Sequence, residues 1–253
     1  MKGSGKVMGE RLEITWPRIT AVSAPIDREI HVWAAELDPG EERLADYAHT
    51  LATDERERAA RFHAVRDRRR FTVARGFLRA VLSQCVGRKP EEVNFNYETR
   101  GKPALANDPL LHFNLSHSGE LALLVVTRFA PVGIDVELIR PVRDAMAIAE
   151  RFFSPQESGG LAAAPEADQP AAFFNLWTRK EAWLKTTGEG ISNSLNRVEV
   201  SFLPGEPARL VSLHGDAARA GEWTLMELAP ALGYVGALAF KARNAAVRLA
   251  RWG

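Results

Sequence analysis

The stretch that most restricts this chain is Val132-Gly133-Ile134-Asp135-Val136-Glu137-Leu138. Its apolar residues alternate with Gly133, Asp135 and Glu137, which is the two-residue period of a half-buried strand. Asp135 and Glu137 therefore share a face, opposite the apolar row. Further on, Trp177-Thr178-Arg179-Lys180-Glu181-Ala182-Trp183-Leu184-Lys185 reads as helix. Glu181 and Lys185 are four apart and stand one above the other on it. Three carboxylates and an amine, from one strand and one helix, form a site for a hard divalent cation and a phosphate. Magnesium takes oxygen ligands and is usually held by one or two carboxylates together with phosphate and water. Taken alone, each pair also has a plainer reading. Asp135 and Glu137 fit the wet face of an edge strand, and Glu181 with Lys185 fits an exposed ion pair worth about 0.3–0.5 kcal/mol.

Around these segments the pattern is mixed. Residues 53–86 read as one helix, with Thr53 and Asp54 as cap-like starts and Gly87 as its stop. Phe71, Ala74, Phe77, Leu78, Val81, Leu82 and Cys85 recur within it at helical spacing. Residues 143–153 and 171–186 read as further helices. Strands are expected at 30–35, 93–97, 121–127, 132–137, 198–202, 222–228 and 234–240, and a Gly-, Ala- and Pro-rich surface loop at 158–170. Helices and strands do not strictly alternate, which predicts an α+β fold over a doubly wound parallel sheet. Residues 1–28 read as an irregular extension in which Met8 is an alternative start. Phe129-Ala130-Pro131 divides a first lobe, 29–131, from a second, 132–253.

The 253 residues are 46% hydrophobic, enough for a substantial core, and the net charge of +1 excludes a uniformly polyanion-binding surface. No apolar run approaches the ~20 residues of a membrane helix. The N-terminus has lysines but no apolar core, so no signal peptide is expected. The single cysteine, Cys85, lies on the apolar helical face and has no internal disulfide partner, which fits a buried thiol in a reducing cytoplasm.

Three more motifs accompany the acidic segments in order: Gly101-Lys102-Pro103, Phe113-Asn114-Leu115-Ser116-His117-Ser118, and Arg151-Phe152-Phe153-Ser154-Pro155-Gln156-Glu157. With Gly-Ile-Asp-Val-Glu and Trp-x-x-Lys-Glu-Ala-x-x-Lys, they resemble the signatures of 4′-phosphopantetheinyl transferases of the surfactin-synthetase-activating type. The resemblance runs from about Thr53 to Ser192 and continues more faintly to the C-terminus. It implies two similar α+β lobes related by a pseudo-twofold within a monomer, with the active site in the cleft between them. The implied reaction moves the 4′-phosphopantetheine arm of coenzyme A onto a serine hydroxyl of an apo acyl or peptidyl carrier protein, releasing 3′,5′-ADP. It implies Mg2+ on Asp135, Glu137 and Glu181. Glu181 would also accept the serine proton, and Lys185 would protonate or neutralise the departing phosphate. Arg58, Arg66 and Arg70 would surround the 3′-phosphate and pyrophosphate, joined by Gly101, Lys102, Asn114, Ser116 and His117. His117 is expected to be a phosphate ligand, not a base. Glu157 fits either a carboxylate near the metal or a helix cap, and Lys180 lies off the catalytic face. Glu55 and Glu189 stand where the family often has lysine.

Two other readings compete. Residues 55–79 carry nine arginines against three acids, a local balance of +6, which could serve a nucleic-acid-binding module. Near-zero net charge and the ordered carboxylates argue against it, and most of these arginines are expected on a solvated helix face. The same carboxylates could instead activate water in a metal-dependent phosphohydrolase. Neither nucleic acid nor membrane is expected as a partner.

Overall fold

The computed structural model describes residues 16–97, 101–188 and 195–253. Its architecture follows from strands that divide their side chains between two cores. On β2 (Glu29–Glu36) and β6 (Leu121–Thr127), Trp33, Ala35, Ala122, Leu124 and Val126 pack with the long helix α3 (Val65–Val86). The alternate residues Ile30, Val32, Ala34, Leu121, Leu123 and Val125 face a second sheet. That sheet contains β7 (Val132–Leu138) and β11 (Tyr234–Phe240), whose Val132, Ile134, Val136, Leu238 and Phe240 close the shared core. From the opposite face, Val235, Ala237 and Ala239 meet helix α6 (Gln169–Thr187). Each sheet thus carries one long helix outside and packs on the other sheet inside. The result is a two-lobed α+β layering, as the sequence predicts.

The first sheet has the order β1 (Arg18–Ile19), β12 (Ala246–Trp252), β2, β6, β5 (His112–Ser118); the second has β10 (Thr224–Leu228), β11, β7. Strands β6 and β11 occupy the spans read from the sequence. The extreme C-terminal strand β12 lies in the stretch expected to form the second lobe, yet it pairs parallel with β2 in the first sheet. Arg248 helps anchor it there through Glu29 at 3.0 Å. Two short hairpins, β3 (Phe95–Tyr97) with β4 (Pro103–Leu105) and β8 (Val198–Val200) with β9 (Leu210–Leu213), complete the described strands.

Three local expectations are corrected. The helix read over 53–86 is two, α2 (Thr53–Ala60) and α3, separated by residues 61–64. In one straight helix residues 55 and 79 would stand about 36 Å apart. The break folds α2 back so that buried Glu55 accepts hydrogen bonds from Arg75 and Arg79 and from the Ala52 amide. An unpredicted helix, α1 (Glu41–Thr50), packs on α3 where Gly76 leaves no room for a Cβ against Tyr47. The surface loop expected over 158–170 begins instead inside helix α5 (Pro155–Ala163), which follows α4 (Ala145–Phe152). Ser154 and Glu157 close a reciprocal cap at its start, Pro155 fits its first turn, and Leu161 is buried. Weak periodicity hid a helix that its cap specifies.

Candidate active site

The site lies where β5, β7 and α6 meet. The two strands belong to separate sheets and are edges of each. An edge strand leaves amide groups without ladder partners. On β7, side chains of β5 take that place: Asn114 Oδ1 accepts from the Ile134 amide (2.9 Å) and Ser118 Oγ from the Leu138 amide (3.2 Å). Helix α6 crosses the same strand at Gly133, where a Cβ would fall 2.1 Å from the Ala182 carbonyl and 2.5 Å from the Thr186 amide. Only glycine permits that approach, and it sets Glu181 beside Asp135.

Asp135 and Glu181 are only 5% and 6% exposed. Asp135 Oδ1 accepts from Ser116 Oγ at 2.7 Å and from Lys185 Nζ at 2.6 Å, while Asp135 Oδ2 and Glu181 Oε1 are buried without a hydrogen-bond partner among the described residues. Burial, then the charge of Asp135, pushes the Glu181 carboxyl up to about 7; Lys185 opposes this and Glu137 adds to it. Glu137, half-buried, accepts from Ser118 at 2.5 Å and meets Arg140 at 3.5 Å. The helical spacing of Glu181 and Lys185 does not make them an ion pair: Lys185 crosses to Asp135 and lies 3.0 Å from Ser116 Oγ.

Lys102 reaches the C-terminal end of α6, donating to the Lys185 carbonyl at 2.6 Å. Carbonyls there lack helical partners, so a cation is well placed. Gly101 beside it adopts φ 79°, the left-handed region that favours glycine. His117 follows Ser116 on β5, with part of its surface open to solvent. Desolvation, then the positive charges of Lys185, Arg70 and Arg58, holds its imidazole below the usual histidine range. Those cations make the rim electropositive around a neutral ring.

The structure thus brings Ser116, His117, Asp135, Glu137, Glu181 and Lys185 together, with Lys102, Arg58 and Arg70 around them. Arg70 is held by a two-point contact with Glu120, whose amide donates to the Tyr234 hydroxyl at 3.0 Å. Arg58 sits over the Phe71 ring at 5.4 Å. Arg66 stands apart, exposed and near Asp67 at 3.6 Å, and Asn114 spends its carbonyl oxygen on the inter-sheet bond. Glu189 lies outside the described residues. Glu157 is the helix cap, not a site carboxylate: it also accepts from buried Lys180 at 2.6 Å and from the Val200 amide at 3.0 Å. Ser118, Glu120, Arg140 and Tyr234 escaped the sequence reading. Ser118 alone had a signal there, standing two residues beyond Ser116 on one strand face.

The arginine-rich segment is partly neutralised by acids of the same chain. Arg75 and Arg79 are spent on Glu55, Arg69 on Asp38 and Glu41, and Arg70 on Glu120. The Cys85 thiol is buried and pushed up to about 12 by desolvation, so it is inert. Among the described residues no helix is long and apolar enough to cross a membrane.

For a metal, the donor chemistry fits but the cage is not assembled. Among the described residues no three acidic, histidine or cysteine side chains converge on one ion position. Two buried carboxylate oxygens nevertheless lack any partner among the described residues, and a third carboxylate stands on the same face of β7. Hard oxygen donors of this kind suit magnesium, and Lys185 supplies the positive charge that Asp135 otherwise lacks.

A cleft of buried acids ringed by cations defines a protein built to handle a phosphorylated substrate. Comparison with known proteins makes this specific. A family model described as the 4′-phosphopantetheinyl transferase superfamily matches residues 131–236, and one described as 4′-phosphopantetheinyl transferase, N-terminal, matches residues 35–128. The chain is 42% identical over 235 residues to the 4′-phosphopantetheinyl transferase HetI of a Nostoc species, covering 90% of this chain and 94% of that one. It is 38% identical over 170 residues to the transferase psf-1 of Bacillus pumilus, 65% of this chain and 72% of that one. Over 150 residues it is 32% identical to the transferase Sfp of Bacillus subtilis, covering 59% and 66% of the two chains. The chain belongs to the 4′-phosphopantetheinyl transferase superfamily. Its activity is therefore the transfer of the phosphopantetheine group of coenzyme A to carrier proteins.

Proposed function

We propose that the transfer depends on magnesium and runs through the Asp135–Glu137–Glu181 cluster, with a serine hydroxyl of an apo acyl or peptidyl carrier as acceptor and 3′,5′-ADP as the leaving group. The observation that carries this reading is the pair of buried oxygens on Asp135 and Glu181, without a partner among the described residues, beside the Lys185 amine. Asp135, Glu137 and Glu181 would hold the ion, which when bound supplies charge neutralisation to the pyrophosphate.

The chain's own groups do the rest. Phosphoryl transfer is mainly positioning and charge neutralisation. His117, Arg58, Arg70 and Lys102, with Ser116 and the Gly101 turn, bind the coenzyme A phosphates through charge-assisted hydrogen bonds, and Arg66, standing apart, is left out. Asn114 fixes β5 against β7 and so holds Ser116 and His117 in place. Glu181, beside Asp135 in the cluster, takes the serine proton, directly or through a water. Lys185 leaves Asp135 to neutralise the departing phosphate. On this reading the protein works as a monomer in the cytoplasm.

Mass spectrometry of apo carriers incubated with the protein and coenzyme A, with magnesium or with chelator, tests this. One added phosphopantetheine on the carrier serine in magnesium only is the expected result. Equal yield under chelation overturns the metal dependence.

A further inference from the structure

Glu137 is the most loosely held of the three acids. Its side chain is 23% exposed, and the exposed Arg140 lies 3.5 Å from its Oε2. The close hydrogen bond on that carboxylate comes from Ser118. We propose that Ser118 is a positioning residue for the transfer, its hydroxyl fixing the Glu137 carboxylate against β5, through the same Oε2 that Arg140 approaches, one rung along from the Ser116–Asp135 pair.

The hydrogen-bond directions make this specific. Ser118 Oγ accepts from the Leu138 backbone amide at 3.2 Å, which commits a lone pair. Its single proton then points to Glu137 Oε2, 2.5 Å away. A hydroxyl with one forced donor direction fixes a carboxylate better than a freely rotating one. The same device stands two residues earlier, where Ser116 donates to Asp135. Residues 116 and 118 point to one side of β5, and residues 135 and 137 to one side of β7, so the two serine–acid pairs form successive rungs between the edges of separate sheets. Ser118 touches no reacting atom in this arrangement; it acts through Glu137.

The proposal rests on the magnesium reading, and groups that orient metal-binding side chains typically alter metal affinity 10–100-fold. The test is calorimetric titration of Mg2+ into the full chain saturated with coenzyme A, alongside coenzyme A affinity in chelator and thermal unfolding. Ser118→Ala should weaken magnesium binding at least ~10-fold while leaving metal-free coenzyme A affinity within about twofold. Ser118→Thr, which keeps the hydroxyl, should restore it. In a Glu137→Gln background, Ser118→Ala should change magnesium affinity less than twofold. Wild-type magnesium affinity in Ser118→Ala overturns the proposal. So does an equal loss in Ser118→Thr, or an equal loss from Ser118→Ala in both backgrounds. A lowered unfolding temperature with unchanged magnesium affinity would make Ser118 merely structural and overturn it too. If Ser118→Ala does not fold, the Thr variant and the magnesium affinity of Glu137→Gln still decide the matter: a weak Thr variant, or a Gln variant that binds like wild type, overturns it. Absence of magnesium binding by the wild-type protein is distinguishable from all of these, since it removes the metal reading itself.

Discussion

Lys185 Nζ lies 2.6 Å from Asp135 Oδ1, and Lys185 therefore pairs with a carboxylate on the strand its helix packs against, not with Glu181 one turn behind it on the same helix. This changes what removing either partner should do. On the sequence alone Asp135 fits the wet face of an edge strand, where its loss would cost little stability. In the structure Asp135 is buried, donated to by Ser116 and neutralised by Lys185. Deleting one member of a buried pair leaves the other desolvated and uncompensated.

Lys185→Met is accordingly expected to lower kcat by about 10²–10⁴-fold, the usual range for a proton-transfer or charge-neutralising group. Coenzyme A affinity should stay within a few-fold. The same variant should lose about 1–3 kcal/mol of stability, because Asp135 keeps its burial but loses a donor. Denaturant unfolding and single-turnover kinetics on one preparation check both. A near wild-type rate would reduce the pair to a structural bridge.

Glu181 should give the protein a distinctive pH dependence. Its carboxyl titrates near 7 in the folded chain and near 4.5 in the unfolded one. Below pH 4.5 both states are protonated and burial carries no ionisation penalty. As pH rises toward 7 the unfolded state loses its proton first, so folding stability falls and then levels off above 7, by about 3 kcal/mol in all. Glu181→Gln removes this slope. In chelator the variant should be more stable than wild type at pH 8 and indistinguishable below pH 4.5, while its transfer rate collapses. Parallel stability–pH curves for the two proteins would contradict the raised carboxyl.

Gly133→Ala is expected to separate site assembly from ligand chemistry. The added methyl meets the Ala182 carbonyl, which is backbone and cannot swing away. Helix α6 must shift, carrying Glu181 and Lys185 with it. Overpacking of this kind typically costs about 1–3 kcal/mol. Transfer should fall at least as much as in the Lys185 variant, although no titratable group has been touched. Unfolding curves and turnover measured together would reveal a tolerant helix if both stayed near wild type.

How much of this was legible beforehand depended on whether a residue's partner was local. The alternation in β7 and the helical spacing in α6 gave the acids their elements and faces, because strand and helix periods are properties of neighbouring residues. What the spacing did not reveal was which side chain each group would meet across space. Lys185 found Asp135 because Gly133 lets α6 press on β7, a contact invisible to periodicity. Asn114 and Ser118 cap an edge strand twenty residues away, which depends on two sheets meeting. Helix α5 was hidden by its glycines and alanines although Ser154, Pro155 and Glu157 mark its start. Strand β12 pairs with residues at the other end of the chain.

Glu55 offers the last test, since its acidic identity looked like a missing phosphate contact. It is 3% exposed, accepts from Arg75 at 2.7 Å and Arg79 at 2.6 Å, and caps the amide of Ala52. From there it cannot face a ligand in the cleft; it anchors the fold of α2 on α3. Arg79 is itself 1% exposed, so removing the carboxylate strands a buried guanidinium. Glu55→Ala should destabilise the protein by about 3–5 kcal/mol, the cost of breaking a buried ion pair on one side. Glu55→Lys, which restores the residue the family often carries, should be worse, because a third cation joins the buried Arg79 and the partly buried Arg75. Coenzyme A affinity of the fraction that remains folded should stay within about threefold, well short of the tenfold per 1.4 kcal/mol that loss of a charge-assisted contact would give. If Glu55→Lys instead tightened coenzyme A binding without a stability penalty, residue 55 would belong to the phosphate site and the buried network would be misassigned.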